Sequence, residues 1–255
     1  MSSDLSGHVS MTLQDKVQLP RLYLVWPTLP MFDADEAPLD VLASVLGDGK
    51  SSRLSRTLVF DKQVARDVRV GSWGQAITGE FEIVVTANPG VSLSELQDVV
   101  QDELERIRTE PPAEQEVQRA KNRIQSDRVA HLERIGGFYG RADLLNMYNL
   151  AAGDPGVINT DLRRYLEVSA EDVSRVAGSS LNWNRVELRV LPEESHSAVT
   201  TAELDRSEMP APAAPKRFAP PVPGRDKLSN GLDVLYLRKE GLPMVTFGLV
   251  IQAGA

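Results

Sequence analysis

The chain has 255 residues, of which 42% are hydrophobic and 25% are charged, and it carries a formal net charge of −8. These proportions are those of an ordinary globular protein with enough apolar residues for a core. The acidic balance argues against broad nucleic-acid binding, which depends on basic patches. Because there is no cysteine, disulfides, thiolate metal sites and cysteine nucleophiles are excluded. No segment approaches the run of about 20 apolar residues that a membrane-spanning helix needs.

Short alternating apolar runs predict a small sheet. Strands are predicted at residues 20–26, 64–75, 79–87 and 185–191. Between the first two, a helix is predicted from Ala37 to Leu46, with a break at Gly47. Ser51 or Ser52 is then expected to cap a second helix that continues to about residue 60.

The helices are gathered in the second half of the chain. A capping box from Ser92 to Glu95 predicts a helix that ends near Thr109, before two prolines. Two further helical patterns follow over 113–135 and 138–151, and Ser169 is expected to cap another. Because the helices do not strictly alternate with strands, we predict an α+β fold. In it, an antiparallel sheet packs one face against the long helices as a two-layer sandwich.

A change of composition divides the chain. We predict an α/β domain over 1–195, a proline-rich linker over 196–226 and a β-hairpin over 227–255. In the hairpin, a strand after the Asn230-Gly231 turn is expected to pair with residues 242–253. Because the sequence stops inside this expected strand, we expect the chain to be a piece of a longer polypeptide.

Three stretches resemble the insulinase/pitrilysin-type zinc metallopeptidase family, the inverzincins. Residues 42–58, Leu-Ala-Ser-Val-Leu-Gly-Asp-Gly-Lys-Ser-Ser-Arg-Leu-Ser-Arg-Thr-Leu, are similar to the glycine-serine signature of the family's non-catalytic second domain. Residues 20–26 resemble the first strand of that domain, and residues from 228 onward resemble the opening hairpin of a family homology unit. The resemblance implies the second half of a first unit, a linker and the truncated start of a second unit.

The family's zinc motif, His-x-x-Glu-His on one helix, is missing. The histidines are His8, His131 and His196, and no second histidine follows His131 four positions later. The resemblance therefore implies zinc in the parent enzyme but no metal ligand in this chain. The family's substrate-polarising Arg and Tyr correspond here to Val59 and Arg66, so no residue is assigned as catalytic.

The resemblance also implies a substrate-binding role for five residues. They are Gly47, Gly49, Ser51, Gly79 and Phe81, which match the glycine turn and the start of a nearby strand that hold peptide in insulin-degrading members. A free strand edge can add a peptide as an extra strand, and glycines let its backbone approach closely. The alternative interpretation is purely structural, because glycine is the usual residue at a helix end and turn.

These expectations define one main function and one alternative. The chain is expected to be a non-catalytic domain of a zinc-dependent endopeptidase, inactive alone, that completes the substrate chamber and helps to bind peptide. The alternative is a structural or recognition subunit of the same family that has lost peptidase activity. Expected partners are a peptide substrate, the zinc-bearing half and the second homology unit, with a homodimer through the hairpin as a further option. Periplasmic or exported localisation is the best match to long bacterial members.

Overall fold

The computed structural model describes residues 5–193, 221–237 and Gly248. The chain divides into two units, Met1–His196 and Ser197–Ala255. In the first unit a five-stranded sheet has the order β1-β5-β2-β4-β3. Its strands are β1 (Val9–Asp15), β2 (Arg21–Thr28), β3 (Ala65–Gly74), β4 (Gly79–Ala87) and β5 (Val186–Pro192).

The four predicted strands are present, and all the pairs among them are antiparallel. The sheet also contains β1, which was not predicted. It pairs in parallel with β5, so that Val9 lies opposite Val186 and Asp15 opposite Pro192. All seven residues of β1 are exposed, and a strand with neither side chain face buried gives only a weak pattern in the sequence.

The helices of the first unit follow the predicted pattern closely. They are α1 (Glu36–Gly47), α2 (Leu93–Thr109), α3 (Glu114–Glu133), α4 (Arg141–Ala152), α5 (Leu162–Leu166) and α6 (Ala170–Ser180). A π-helix (Ser55–Asp61) follows the glycine-serine turn, and a 3₁₀ helix (Pro155–Asn159) precedes α5. Two of the three predicted serine caps are confirmed, since the hydroxyls of Ser92 and Ser169 accept hydrogen bonds from Glu95 N and Asp172 N.

The core lies between one face of the sheet and the helices. In β2 the side chains of Leu22, Leu24 and Trp26 are at most 1% exposed, whereas Tyr23 and Val25 on the other face are only partly buried. Fully burying one such apolar side chain stabilises the fold by about 1.5–3 kcal/mol. The predicted α+β sandwich, with helices on one face of the sheet, is therefore confirmed.

A buried ionic network joins helices α3, α4 and α5. The Asp161 carboxylate is 3% exposed and accepts hydrogen bonds from Arg128 at 2.6 Å and from the Tyr148 hydroxyl at 2.7 Å. Arg164 donates to its other oxygen at 2.7 Å and lies 3.1 Å from the carboxylate of Glu36 in α1. Burial favours the neutral form of Asp161, but the two arginines and the tyrosine outweigh it and hold the pKa below its usual range.

The second unit contains a β-hairpin formed by β6 (Gly224–Lys227) and β7 (Asp233–Tyr236). The predicted Asn230-Gly231 turn connects the two strands, with Gly231 at a φ of 88°, where glycine is unstrained. The observed pairing differs from the expected one, because the partner of β7 is β6, which lies at the end of the predicted linker. Except for Gly248, the predicted partner strand over 242–253 lies outside the described residues, as does most of the 196–226 linker.

Candidate functional site

The glycine-serine turn connects α1 to the π-helix. Gly47 is the last residue of α1, and Gly49 has a φ of 78°, which favours glycine. The Ser52 hydroxyl donates to the carbonyl of Gly49 at 2.8 Å, so it holds the turn together and does not accept a hydrogen bond at the helix start. Ser51 is exposed. The predicted serine cap is therefore replaced by a bond inside the turn.

Gly47 brings the turn into direct contact with strand β3. A Cβ atom at position 47 would lie 2.5 Å from the Cβ of Val70, closer than two such atoms can approach. Any side chain at this position would push the helix end away from the strand. Glycine is therefore required here by close packing, which is the structural interpretation offered by the sequence.

A charged cluster holds the turn from the other side. Arg53 binds Glu116 of α3 through two hydrogen bonds of 2.9 Å and lies 3.4 Å from Glu103 of α2. The hydrogen bonds from Arg53 lower the pKa of Glu116. Arg119 also reaches the carbonyl of Ser51 at 3.5 Å. Two helices and one strand thus fix the turn in a single position.

Strand β3 is the end of the sheet beside this turn. Among the described residues, no strand pairs with the side of β3 that faces away from β4. Its Arg66, Arg69 and Trp73 are exposed, and the Trp73 ring covers Gly71, where a Cβ would lie 2.1 Å from it. Charged side chains are common on strands that end a sheet. The free backbone groups of β3 and the glycine turn therefore form one continuous surface.

Gly79 and Phe81 do not lie on this surface. Their strand, β4, is paired on both sides, so that Phe81 lies opposite Trp26 of β2 and Ser72 of β3. The Phe81 side chain is fully buried in the core. At Gly79 and Phe81 the sheet thus has no free edge, and the edge without a strand partner among the described residues lies one strand further out, on β3. These two residues support that strand from behind.

The histidines and the family's substrate-contact positions are dispersed. His8 stacks on Trp183 with 4.7 Å between ring centroids, and His131 stacks on Tyr139 at 5.6 Å. Val59 is partly buried against the core, and Arg66 is exposed at the start of β3. Over residues 5–193, 221–237 and 248, no group of three or more histidine, aspartate or glutamate side chains is arranged to hold a metal. These residues do not fit a zinc ion, and no chemistry through one is derived for them.

Asp40 is a second notable carboxyl, and it was not among the predicted site residues. It lies in α1 between a buried leucine and a buried valine, and it accepts a hydrogen bond from the Tyr165 hydroxyl at 2.9 Å. Burial raises its pKa to about 6, although contacts with the Ser72 and Tyr165 hydroxyls act in the opposite direction. A lone aspartate inside an apolar helical run is the signal that would have indicated it.

The raised pKa of Asp40 predicts a characteristic pH dependence. The folded protein holds the Asp40 proton more tightly than the unfolded chain does. The contribution of Asp40 to the free energy of unfolding therefore falls as the pH rises from about 4 to about 6 and is then constant. Asp40→Asn keeps an oxygen acceptor for Tyr165 and removes the charge. We expect it to raise the free energy of unfolding by about 1–3 kcal/mol at pH 7.5 and to leave it unchanged at pH 4. Urea denaturation at the two pH values measures this, and an equal effect at both would contradict it.

Comparison with known sequences finds one matching family model and two curated relatives. Residues 4–124 match the family model described as the peptidase M16 inactive domain. Zinc protease PqqE of Helicobacter pylori is 27% identical over 161 residues, which cover 61% of this chain and 35% of the relative. The uncharacterized zinc protease SCO5738 of Streptomyces coelicolor is 26% identical over 162 residues, covering 64% and 34%. The chain therefore spans about a third of the length of these curated relatives.

Solved structures share the fold. A protease from Helicobacter pylori has a TM-score of 0.65 at 21% identity, covering 74% of this chain and 45% of that chain. The inactive peptidase domain of a candidate zinc protease from Bordetella parapertussis has a TM-score of 0.63 at 22% identity, covering 74% and 98%. The periplasmic protease PqqL from Escherichia coli has a TM-score of 0.58 at 13% identity, covering 74% and 21%.

The sequence match and the fold agree on the same class, a non-catalytic domain of a zinc protease. Residues 4–124 thus resemble the peptidase M16 inactive domain, and both curated relatives are named as zinc proteases. The resemblance predicted from the glycine-serine signature is confirmed. In the part of the chain that the structure describes, no helix combines the length and apolar character needed to cross a membrane.

Proposed function

We propose that this domain binds an extended peptide along the free edge of β3 and, with the zinc-bearing part of its parent protein, encloses the peptide for cleavage. The observation that carries the proposal is the position of β3 at the end of the sheet, with the Gly47–Ser51 turn packed against it. A peptide added there as an extra strand is held by main-chain hydrogen bonds, which do not depend on its sequence. Gly49 and Ser51 lie at the exposed end of the turn and would contact it directly.

In this arrangement the domain supplies no metal ligand and no general base. Its contribution is to hold the peptide in an extended form. The bound peptide is then already ordered when the zinc-bearing part of the parent protein cleaves it. Zinc in the parent enzyme follows from the names of the curated relatives, which are zinc proteases. The domain would thus act through position and enclosure.

The free edge is tested by paired proline substitutions. Successive N–H groups of a strand point to opposite sides, so one of Val68→Pro and Arg69→Pro removes an outward N–H and the other removes a bond to β4. Thermal unfolding identifies the outward variant as the one that keeps its stability. We expect that variant to bind a fluorescent peptide at least tenfold more weakly by anisotropy. The matched control is alanine at the same position, Arg69→Ala for Arg69→Pro or Val68→Ala for Val68→Pro, because it removes the same side chain and keeps the N–H group.

If the folded proline variant and its alanine control bind peptide as tightly as the original chain, binding along β3 is ruled out. A second assay measures cleavage of a quenched fluorescent peptide with added zinc. We expect no cleavage by the 255-residue chain alone and zinc-dependent cleavage when the zinc-bearing part of the parent is added. An assembled mixture that does not cleave peptide supports the alternative, a structural or recognition subunit.

We also propose that the parent protein works in the periplasm or is exported. The support is the fold shared with the periplasmic protease PqqL. The absence of cysteine is compatible with an oxidising compartment, since no thiol is exposed to unwanted oxidation. Cell fractionation with an antibody against this domain tests it, and recovery of the parent only in the cytoplasmic fraction would contradict it.

A further inference from the structure

A cavity of about 510 Å³ opens between helices α3, α4 and α5 and reaches α1. This is the size of a site for a small organic molecule. Most of its wall is apolar, and the apolar side chains that line it are Ile124, Leu132, Leu144, Met147, Ile158 and Leu162. No strand residue lines this cavity, although its Asp40 contacts the Ser72 hydroxyl of β3. An apolar enclosure of this size favours a ligand with a hydrocarbon or aromatic body.

The polar groups of the cavity leave one carboxyl without a cation. Arg128 lines the wall, but its guanidinium already binds Asp161 at 2.6 Å and Tyr148 at 3.0 Å. Asp40 also lines the wall, and within residues 5–193 no lysine or arginine lies at salt-bridge distance from it. Its hydrogen bond comes from the uncharged Tyr165 hydroxyl at 2.9 Å. A nearby positive charge stabilises the ionised form of a carboxyl that is largely removed from water. The position beside Asp40 where such a charge could lie is free for a ligand.

The other charged groups near Asp40 add to its preference for a positively charged partner. Glu36 lies one helical turn away on α1 and disfavours a second negative charge at Asp40. Asp127 lines the same cavity and is paired only with exposed Arg123 at 3.3 Å. His131 at the cavity wall stacks on the ring of Tyr139. Two carboxylates, Asp40 and Asp127, and one arginine, Arg128, therefore line this space, and only Asp40 lacks a cation at salt-bridge distance within the described residues.

We propose that this cavity binds an organic cation with an apolar body, an arylalkyl- or alkylammonium group, whose nitrogen pairs with Asp40. The body would occupy the apolar wall between α3 and α4, and the rings of Tyr139 and Tyr148 add aromatic surface that favours a cation. The same chemistry is carried by a free amine and by a lysine side chain of a peptide. This proposal does not depend on peptide binding along β3.

The ligand and a proton compete for Asp40. Because the pKa of this carboxyl is about 6, it is ionised at pH 7.5 and mostly protonated at pH 5. Arg128, Asp127, Glu36 and Tyr165 also face this region, and none of these side chains has an ordinary pKa inside that interval. His131 also lines this wall, and a positive charge on its ring would oppose the ligand as well. Affinity should therefore fall about tenfold between pH 7.5 and pH 5.

The test is isothermal titration calorimetry of the full 255-residue chain with 2-phenylethylamine at both pH values. The matched neutral probe is 2-phenylethanol, which has the same ring and a hydroxyl in place of the ammonium. We expect the amine to bind at least tenfold more tightly than the alcohol at pH 7.5. Asp40→Asn should remove this preference, and Asp102→Asn, which deletes one exposed charge on α2, should keep it.

Two peptides separate the sources of the cation. One carries a lysine between leucines, and the other carries the same lysine acetylated. Binding of the amine and of the lysine peptide, both lost in Asp40→Asn, supports the site for either source, and binding of only one of them identifies the source. Equal affinity for the amine and the alcohol, unchanged binding by Asp40→Asn, or no binding of any cationic probe overturns the proposal. Circular dichroism of the variants confirms that a loss of binding is not a loss of fold.

Discussion

Replacing Asp161 with asparagine is expected to lower the free energy of unfolding by about 3 kcal/mol at pH 7. The carboxylate is buried and receives hydrogen bonds from Arg128, Arg164 and Tyr148. An asparagine of the same shape carries no charge, so it would leave Arg128 with a hydroxyl as its main partner. Arg164 would retain Glu36 at 3.1 Å. The loss should therefore come mostly from the uncompensated charge of Arg128.

The pH dependence of this loss distinguishes charge from shape. The pKa of Asp161 is lower in the folded protein than in the unfolded chain. Its contribution to the free energy of unfolding is therefore complete above the unfolded-state pKa and is lost as the pH falls through the folded-state pKa. The difference between the original chain and Asp161→Asn should thus shrink toward pH 3. Asp127→Asn is the control, since that carboxylate is 58% exposed and its ion pair with Arg123 contributes less than about 1 kcal/mol. Urea titrations that give equal losses for both variants, or a loss that persists at pH 3, would refute the argument.

The second large effect is expected at Trp26. Its side chain is completely buried, lies edge-on to Phe81 with 6.3 Å between ring centroids, and donates a hydrogen bond to the carbonyl of Asn182 at 2.7 Å. The Arg185 guanidinium lies 5.5 Å from its ring. Trp26→Ala should therefore cost about 3–5 kcal/mol, because it opens a cavity in the core and removes the hydrogen-bond donor to the Asn182 carbonyl.

Two further variants give this prediction its controls. Trp26→Phe keeps much of the packing and loses the N–H donor, so its cost should lie between zero and that of alanine. Trp73→Ala removes a ring that is 44% exposed, and we expect a loss below about 1 kcal/mol. Chemical denaturation monitored by far-ultraviolet circular dichroism measures all three. A Trp73 effect as large as that of Trp26 would mean that the open face of the sheet is covered in solution.

Local sequence patterns were sufficient for much of this fold. Strands whose alternate side chains are buried, such as β2 and β4, were predicted because burial on one face imposes a period of two. The Ser92 and Ser169 caps were predicted because a hydroxyl at a helix start has a specific hydrogen-bonding role. Trp73 and Trp183 are exposed whereas Trp26 is buried, because aromatic character alone does not determine burial.

The candidate site was predicted only in part. The turn from Gly47 to Ser51 was identified from the sequence, and the structure places it against β3. The edge itself was assigned to Gly79 and Phe81, because the order of strands in a sheet depends on long-range pairing that no local pattern contains. Asp40 was missed for a similar reason. Its environment is made by Ser72, Tyr165 and Arg128, which are distant in sequence.

The parallel pairing of β1 with β5 affects the order in which this unit can fold during synthesis. Val9 lies opposite Val186, so β1 emerges from the ribosome roughly 180 residues before its partner strand. At about 5–20 residues per second, this interval is on the order of 10–40 s. During that time Val9, Met11 and Leu13 have no strand to pair with, and these apolar side chains are still exposed in the finished fold. β1 therefore cannot join the sheet until β5 has been synthesised, so this pairing is among the last in the sheet to form.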